Sequence, residues 1–249
     1  KDVVIFSVEI GGHMEENEIF NSLLEKIKNK KVKIGIIGLG YVGLPLAREF
    51  LNNGFIVNGF DIDRKKIDKI NNGESYIKHI ESDFIKKYKN TKQFSATYEF
   101  SQLKKVDAII LCVPTPLGKN YQPDLSFVIN TTKTVSQYLR KGHLIILEST
   151  TYPGTTEEEM LPILTQTGLK VGQDFFLGYS PEREDPGNAE FSTAKIPKVV
   201  SGVTEKCFLL VNTLYSQIVT KTVPVSCPKV AEGIKILENT YRAVNIALV

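Results

Sequence analysis

Cysteine is scarce in this sequence: Cys112, Cys207 and Cys227 are the only three among 249 residues. An odd count, widely spaced and without a CxxC pair, argues against a disulfide framework and against a zinc site. A reducing, cytoplasmic setting is the expectation that follows. Long apolar runs are missing too, since none approaches the roughly 20 residues that a membrane-crossing helix needs. Neither sign of charge dominates, because 31 Lys+Arg oppose 28 Asp+Glu and leave a formal +3. So mild an excess gives no reason to expect nucleic acid as a partner. Internal repeats and low-complexity tracts are absent, which excludes repeat arrays and linker-like chains.

What is present is globular material. At 42% hydrophobic and 24% charged residues, most of the chain is too apolar for disorder. A domain takes about 100–200 residues, so the length fits one large domain or one and a half, with a core that needs no staples. The start, Lys1-Asp2 and a short apolar run, makes a poor signal peptide. Gly11-Gly12-His13-Met14 reads as a cloning junction ahead of a native start at Met14, which would leave residues 1–13 without function.

Periodicity then divides the chain. Ile19, Phe20, Leu23, Leu24 and Ile27 share one face of a helix over 15–30. A strand over 32–37 leads into Gly38-Leu39-Gly40-Tyr41-Val42-Gly43 and a helix over 44–52, which Gly54 ends. A second strand over 55–60 closes on Asp61, and a helix runs from about 63 to 70. The alternation continues: strand 106–113, helix 124–139 with Asp124 as N-cap, strand 143–147, helix 155–165, strands 175–179 and 198–202, helix 204–218, and a strand near 220–223. Strands alternating with helices predict an α/β fold, a Rossmann-type doubly wound parallel sheet. Cys227-Pro228 opens a last helix with Ala231, Ile234, Leu237, Tyr241, Val244 and Leu248 on one stripe and no stop signal. It reads as the start of a long connecting helix. The expected organisation is an extension over 1–30, a cofactor domain over 31–226 and the connecting helix over 227–249.

A lone GxGxxG is weak, but this one follows a strand, opens a helix and precedes an acidic strand end, Asp61, 21 positions beyond Gly40. Gly38 permits the tight turn, Gly40 lets backbone approach a pyrophosphate, and Gly43 lets helix and strand pack closely. Leu39, Tyr41 and Val42 complete the turn, and the helix N-terminus offers N–H groups and a positive dipole end to phosphates. Asp61 can accept from a ribose 2′-OH and would repel a 2′-phosphate. NAD is therefore expected over NADP, with Arg64, Lys65 and Lys66 nearby acting against that preference.

At this point the sequence resembles a known family. Gly38 to Pro45 looks like the opening of the UDP-glucose/GDP-mannose dehydrogenases. Further segments agree in order: Val113-Pro114-Thr115-Pro116, Glu148-Ser149-Thr150 with Pro153-Gly154-Thr155-Thr156, Ser180-Pro181-Glu182-Arg183-Glu184-Asp185-Pro186-Gly187, and Ala231-Glu232-x-x-Lys235-x-x-x-Asn239. The Ser180-to-Gly187 form looks most like the branch acting on UDP-N-acetylhexosamines, with UDP-N-acetylglucosamine the expected substrate and cell-surface glycan synthesis the expected setting. The resemblance implies a twofold oxidation of the sugar C6 alcohol to a carboxylate, reducing two NAD⁺. It also implies a cysteine nucleophile that forms first a thiohemiacetal and then a thioester, which water hydrolyses. A homodimer or higher homo-oligomer through the connecting helix is a further implication.

The resemblance also assigns roles. Lys235 and Asn239, four apart on a predicted helix, share a face and match the pair that stabilises a developing oxyanion beside C6. The alternative is a solvated polar face opposite the apolar stripe. Glu182 matches a general base for the hydrolytic water; Arg183 and Glu184 follow it at the substrate. Members acting on UDP-glucose carry a second glutamate where this chain has Pro186. Thr150 matches a threonine holding that water or the nicotinamide end, with Ser149 beside it. Val113, Pro114 and Thr115 line the cofactor beyond the pyrophosphate, and Lys66 matches a basic position near the adenosine ribose. The family's nucleophile lies in a glycine-rich segment well after the Lys-x-x-x-Asn helix, and none of the three cysteines has that context. The expectation is therefore a chain that binds NAD without completing the oxidation. Two other readings stand beside this one: a β-hydroxyacid-type Rossmann dehydrogenase, and a non-catalytic NAD-binding module.

Overall fold

The computed structural model describes residues 17–78, 80–118, 122–182 and 196–248. The proposed junction at Gly11 to Met14, Arg183 and Glu184 lie outside them. Helix α1 spans 17–28 and buries Leu23 and Ile27 against the sheet. The strands are β1 (Lys33–Ile37), β2 (Ile56–Phe60), β3 (Phe94–Thr97), β4 (Ala108–Leu111), β5 (Leu144–Leu147), β6 (Phe176–Tyr179), β7 (Lys198–Gly202) and β8 (Thr222–Pro224). The helices that follow α1 are α2 (Gly43–Asn52), α3 (Arg64–Asn72), α4 (Ser82–Asn90), α5 (Ser126–Gln137), α6 (Leu161–Thr165), α7 (Glu205–Tyr215) and α8 (Pro228–Leu248). A 3₁₀ turn over Phe100–Lys105 precedes β4, and a π-helical turn over Thr155–Met160 runs into α6.

The eight strands form one sheet in the order β3-β2-β1-β4-β5-β6-β7-β8. Alternate residues along β4 and β5 serve opposite faces, so both strands are apolar throughout and fully buried, as parallel strands covered on both sides must be. Ile34, Ile36, Ile110 and Ile146 join α1, α2 and α7 on one face; Ile109, Leu111, Ile145 and Leu147 join α5 and α6 on the other. Local chemistry sets the helix ends. The Asp63 carboxylate accepts from Lys65 N–H at the start of α3, which ends in the left-handed Gly73 (φ 82°). Thr204 caps α7 by accepting from Cys207 N–H. Asp124 accepts from Ser126 N–H at 2.9 Å, and α5 begins two residues after it.

Two findings depart from the expectation. Residues 73–105, where periodicity predicts no element, hold α4 and the edge strand β3. The sheet is not wholly parallel, because β7 runs antiparallel to β6 and β8 follows β7. A short apolar run reads alike in either direction, so hydrophobic pattern carries no sign of the reversal. The apolar stripe of α8 divides along its length, Ala231 lying in this core and Ile234 packing against it. Ala231 is buried, but its buried neighbours are Glu232 and Lys235, while Leu237, Tyr241, Val244 and Leu248 are exposed.

His143 introduces a pH dependence. It is fully buried, with Nδ1 accepting from Arg140 N–H at 3.3 Å, which leaves Nε2 to donate to the Val106 carbonyl at 3.1 Å. Burial first, then the nearby Arg140 cation, lowers its pKa to about 4. Between roughly pH 6.5 and 4 the unfolded chain takes up a proton that the folded one refuses. The contribution is complete above pH 6.5 and is lost as pH falls toward 4, by an amount on the order of 3 kcal/mol. Urea midpoints across this window should fall with pH, and the His143 ring resonances of the folded protein should not titrate above pH 5.

Candidate functional site

Every parallel strand from β1 to β6 delivers its C-terminal end to the same edge of the sheet, where ligands of open α/β sheets bind. At the end of β1, Gly38 has φ 92°, and a Cβ there would fall on the Cys112 carbonyl oxygen beneath it. A Cβ on Gly43 would strike the Gly38 carbonyl. Gly40 is different, since a Cβ there meets nothing within 4 Å. Two of the glycines are thus demanded by protein atoms, and the third leaves an open space. Beside that space α2 opens, with Leu44 N–H donating to the Gly40 carbonyl at 3.1 Å, and Tyr41 is exposed next to it.

Asp61 ends β2 and is only 6% exposed. Its Oδ2 accepts from Leu39 N–H at 2.8 Å and from Lys66 Nζ at 3.2 Å; its Oδ1 accepts from Asp63 N–H at 2.9 Å. A carboxylate has about four acceptor positions, so one remains for a hydroxyl. Lys66 is bound to Asp61 rather than standing free in solvent. At the ends of β4 and β5 the hydroxyls mostly hold backbone: Thr115 Oγ1 donates to the Thr150 carbonyl at 2.7 Å, and Ser149 Oγ to the Val113 carbonyl at 2.7 Å. Val113 and Thr150 are half-buried and Pro114 exposed on this edge.

Beyond β6 the chain reaches Pro181 and Glu182, and α8 meets it there. Lys235 Nζ donates to the Glu182 carbonyl at 2.5 Å. Both residues are buried, whereas Asn239, one turn further along α8, is exposed. Glu232 docks the helix. Its Oε2 accepts from Gly154 N–H at 2.6 Å, and its Oε1 accepts from Thr156 N–H at 2.9 Å and Thr156 Oγ1 at 2.7 Å. Burial raises the Glu232 carboxyl, and these bonds pull it back.

Beneath Pro181 lies a cluster that sequence reasoning missed. Lys198 Nζ, 1% exposed in its side chain, donates to Glu148 Oε1 at 2.5 Å and to the Pro181 carbonyl at 3.3 Å. The Tyr215 hydroxyl donates to Glu148 Oε2. Burial pushes Glu148 up to about 7 against the pull of Lys198, and Lys198 itself is held above its ordinary value by Glu148 and Glu182 despite burial. Lys198 and Glu148 thus form a tightly coupled unit within the core. Glu148 was visible as part of a motif; a lysine opening an otherwise apolar strand was the available signal for Lys198. Among the cysteines, Cys112 and Cys207 are buried, the latter accepting from Leu177 N–H, and Cys227 is half-buried before α8. A separate cleft of about 240 Å³ lies at the opposite sheet edge, between α1, Asp107 and Arg140, away from all of these residues.

A turn that only glycine can make, set below a helix N-terminus and beside an acidic strand end, is built to take a dinucleotide. The class is therefore that of the NAD-binding dehydrogenase domains. Residues 32–219 match the model described as UDP-glucose/GDP-mannose dehydrogenase family, NAD binding domain, and the chain belongs to that family. It is 43% identical over 163 residues to the UDP-N-acetyl-D-glucosamine 6-dehydrogenase of Pseudomonas aeruginosa, covering 65% of this chain and 39% of that protein. It is 37% identical over 183 residues to the UDP-N-acetyl-D-mannosamine dehydrogenase of Pyrococcus horikoshii, covering 73% of this chain and 44% of that one. The solved structure of UDP-D-ManNAc dehydrogenase from Pyrococcus horikoshii superposes with a TM-score of 0.82 at 37% identity, over 87% of this chain and 52% of that one. The chain thus spans about two-fifths to one half of the length of these relatives. NAD is the cofactor of the family domain. No helix among the described residues is long and apolar enough to cross a membrane.

Proposed function

We propose that this chain is the NAD-binding part of a nucleotide-sugar 6-dehydrogenase acting on a UDP-N-acetylhexosamine, with UDP-N-acetylglucosamine as substrate. The meeting of Lys235 with the Glu182 backbone carbonyl, at the sheet edge that carries the glycine turn, supports this reading most directly, because it brings the two motifs together in space. The printed name of the Pseudomonas aeruginosa relative supports the choice of sugar. Residues 31–226 form the cofactor domain, 227–249 the connecting helix, and 1–30 an extension. The protein works in the cytoplasm, and the exposed apolar side of α8 serves a homodimer.

Gly38 to Gly43 would hold the pyrophosphate, Asp61 and Lys66 the adenosine ribose, and Val113 to Thr115 with Ser149 and Thr150 the far end. When bound, NAD supplies the hydride acceptor for oxidation at C6. The protein's own contribution is to orient and to move protons. Lys235 places an ammonium where an alkoxide or oxyanion develops. Asn239 adds an amide to the same face of α8. Glu182 takes a proton from the water that releases the carboxylate, with Thr150 orienting that water. Arg183 and Glu184, which follow Glu182 in sequence, would bind the sugar.

The test is a substrate panel with the full-length gene product. UDP-N-acetylglucosamine should give two NADH per sugar; UDP-N-acetylmannosamine, UDP-glucose and β-hydroxyacids should give little. Turnover with a β-hydroxyacid alone, or NAD binding without turnover on any sugar, would replace this reading by one of its alternatives. Asp61→Ala should weaken NAD binding by roughly tenfold to a hundredfold, the loss expected of a charged acceptor, as read by calorimetry.

A further inference from the structure

The glycine turn is fixed by a residue far from it in sequence. Leu39, which follows the first glycine, is held on three sides. Its N–H donates to Asp61 Oδ2 at 2.8 Å. Its side chain is fully buried, and a Cβ on Gly59 would come within 2.7 Å of its Cδ1. Its carbonyl oxygen accepts from the Tyr76 hydroxyl at 2.5 Å. Tyr76 lies between α3 and α4, half-buried, in a segment tied down where Ser75 N–H donates to Ser82 Oγ at 3.0 Å. Burial, then the charges of Asp61 and Asp63, raise its phenol well above the ordinary value, so it is a neutral donor at neutral pH.

A trans peptide links that carbonyl to the next N–H. The C=O of Leu39 and the N–H of Gly40 share one plane and point in opposite directions, and no described peptide bond is cis. With the oxygen held on the side of Tyr76, the Gly40 N–H is aimed to the other side. A Cβ on Gly40 meets no protein atom within 4 Å, so a ligand can approach the backbone at this residue. The orientation also sets the frame from which Tyr41 and Val42 enter α2.

We infer that Tyr76 is a positioning residue for the dinucleotide: by holding the Leu39 carbonyl, its hydroxyl presents the Gly40 N–H as a donor to the pyrophosphate. Tyr76 touches no ligand atom itself. The inference rests on the NAD-binding character of the family domain.

The test uses the whole chain and needs no turnover. NAD, ADP-ribose and adenosine are titrated by calorimetry into the parent and into Tyr76→Phe, which keeps the ring and removes only the hydroxyl. NAD and ADP-ribose should bind about 3- to 10-fold more weakly, the loss of one hydrogen bond. Adenosine, which has no phosphate, should bind unchanged, and the thermal midpoint should stay close to that of the parent. In glycine-labelled protein without ligand, the Gly40 amide resonance should move. Unchanged NAD affinity in Tyr76→Phe overturns the inference, and so does an equal loss for adenosine, which would reflect a general loosening. A parent chain that binds none of the three ligands would instead remove the cofactor assignment, and the inference with it.

Discussion

Lys198→Met should cost the protein on the order of 3–5 kcal/mol, a large part of the 5–15 kcal/mol that typically holds a domain together. The change removes a cation whose partner, Glu148, is fully buried and accepts its hydrogen bond at 2.5 Å. The carboxylate left behind has, among the described residues, the Tyr215 hydroxyl as its remaining side-chain donor and must be protonated or hydrated to remain inside. A paired variant separates the two possible origins of the loss. Glu148→Gln with Lys198→Met removes both charges, yet leaves an amide oxygen to accept from the Tyr215 hydroxyl. It should recover most of the stability, because a buried ion pair gains little over neutral groups of similar size. Urea denaturation at neutral pH measures both variants. A pair as unstable as the single variant would show that the bond from Lys198 to the Pro181 carbonyl outweighs the unpaired charge.

The glycines of the turn should divide sharply by what their missing Cβ would meet. Gly43→Ala puts a methyl onto the Gly38 carbonyl, where neither partner is a flexible side chain. Backbone must move, so both thermal stability and NAD affinity should fall, the latter at least about tenfold. Gly40→Ala meets no protein atom within 4 Å and should leave the thermal midpoint unchanged or slightly raised. Its NAD affinity should nevertheless fall by a similar factor, because the methyl occupies the approach to the pyrophosphate. Thermal shift and calorimetry on the two variants distinguish space reserved for a ligand from space closed by packing. Equal melting losses in both would refute the distinction.

Much of this was legible in the residues. The unbroken apolar runs of β4 and β5 can only be covered strands, and the spacing of Gly38, Gly40, Gly43 and Asp61 places a dinucleotide turn without coordinates. Illegible parts have physical reasons. Helix α4 buries only Ile85 and Tyr88, too thin a stripe to stand out among its lysines. Strand β3 has four residues and one clear alternation. The reversal of β7 leaves no trace in periodicity. Within the site, roles carried by side chains that bond backbone were hidden. Tyr76, Lys198 and Glu232 act on carbonyls or N–H groups many positions away, which no local pattern encodes. Thr115 and Ser149 were legible as strand-end hydroxyls, but the structure spends both on backbone carbonyls.

The seat of α8 has a mechanical consequence. An apolar seat tolerates sliding and rotation, since burial has no preferred direction. This seat is made of the Glu232 carboxylate gripping Gly154 and Thr156 and of Lys235 reaching the Glu182 carbonyl. Hydrogen bonds weaken steeply as their angle opens, so the helix is keyed to one bearing. Whatever α8 carries beyond Lys235 leaves the sheet along a direction set within its first two turns. A turn of the helix about its own axis would be felt first at the carbonyl of Glu182, which makes this short stretch a protractor for the opening above it.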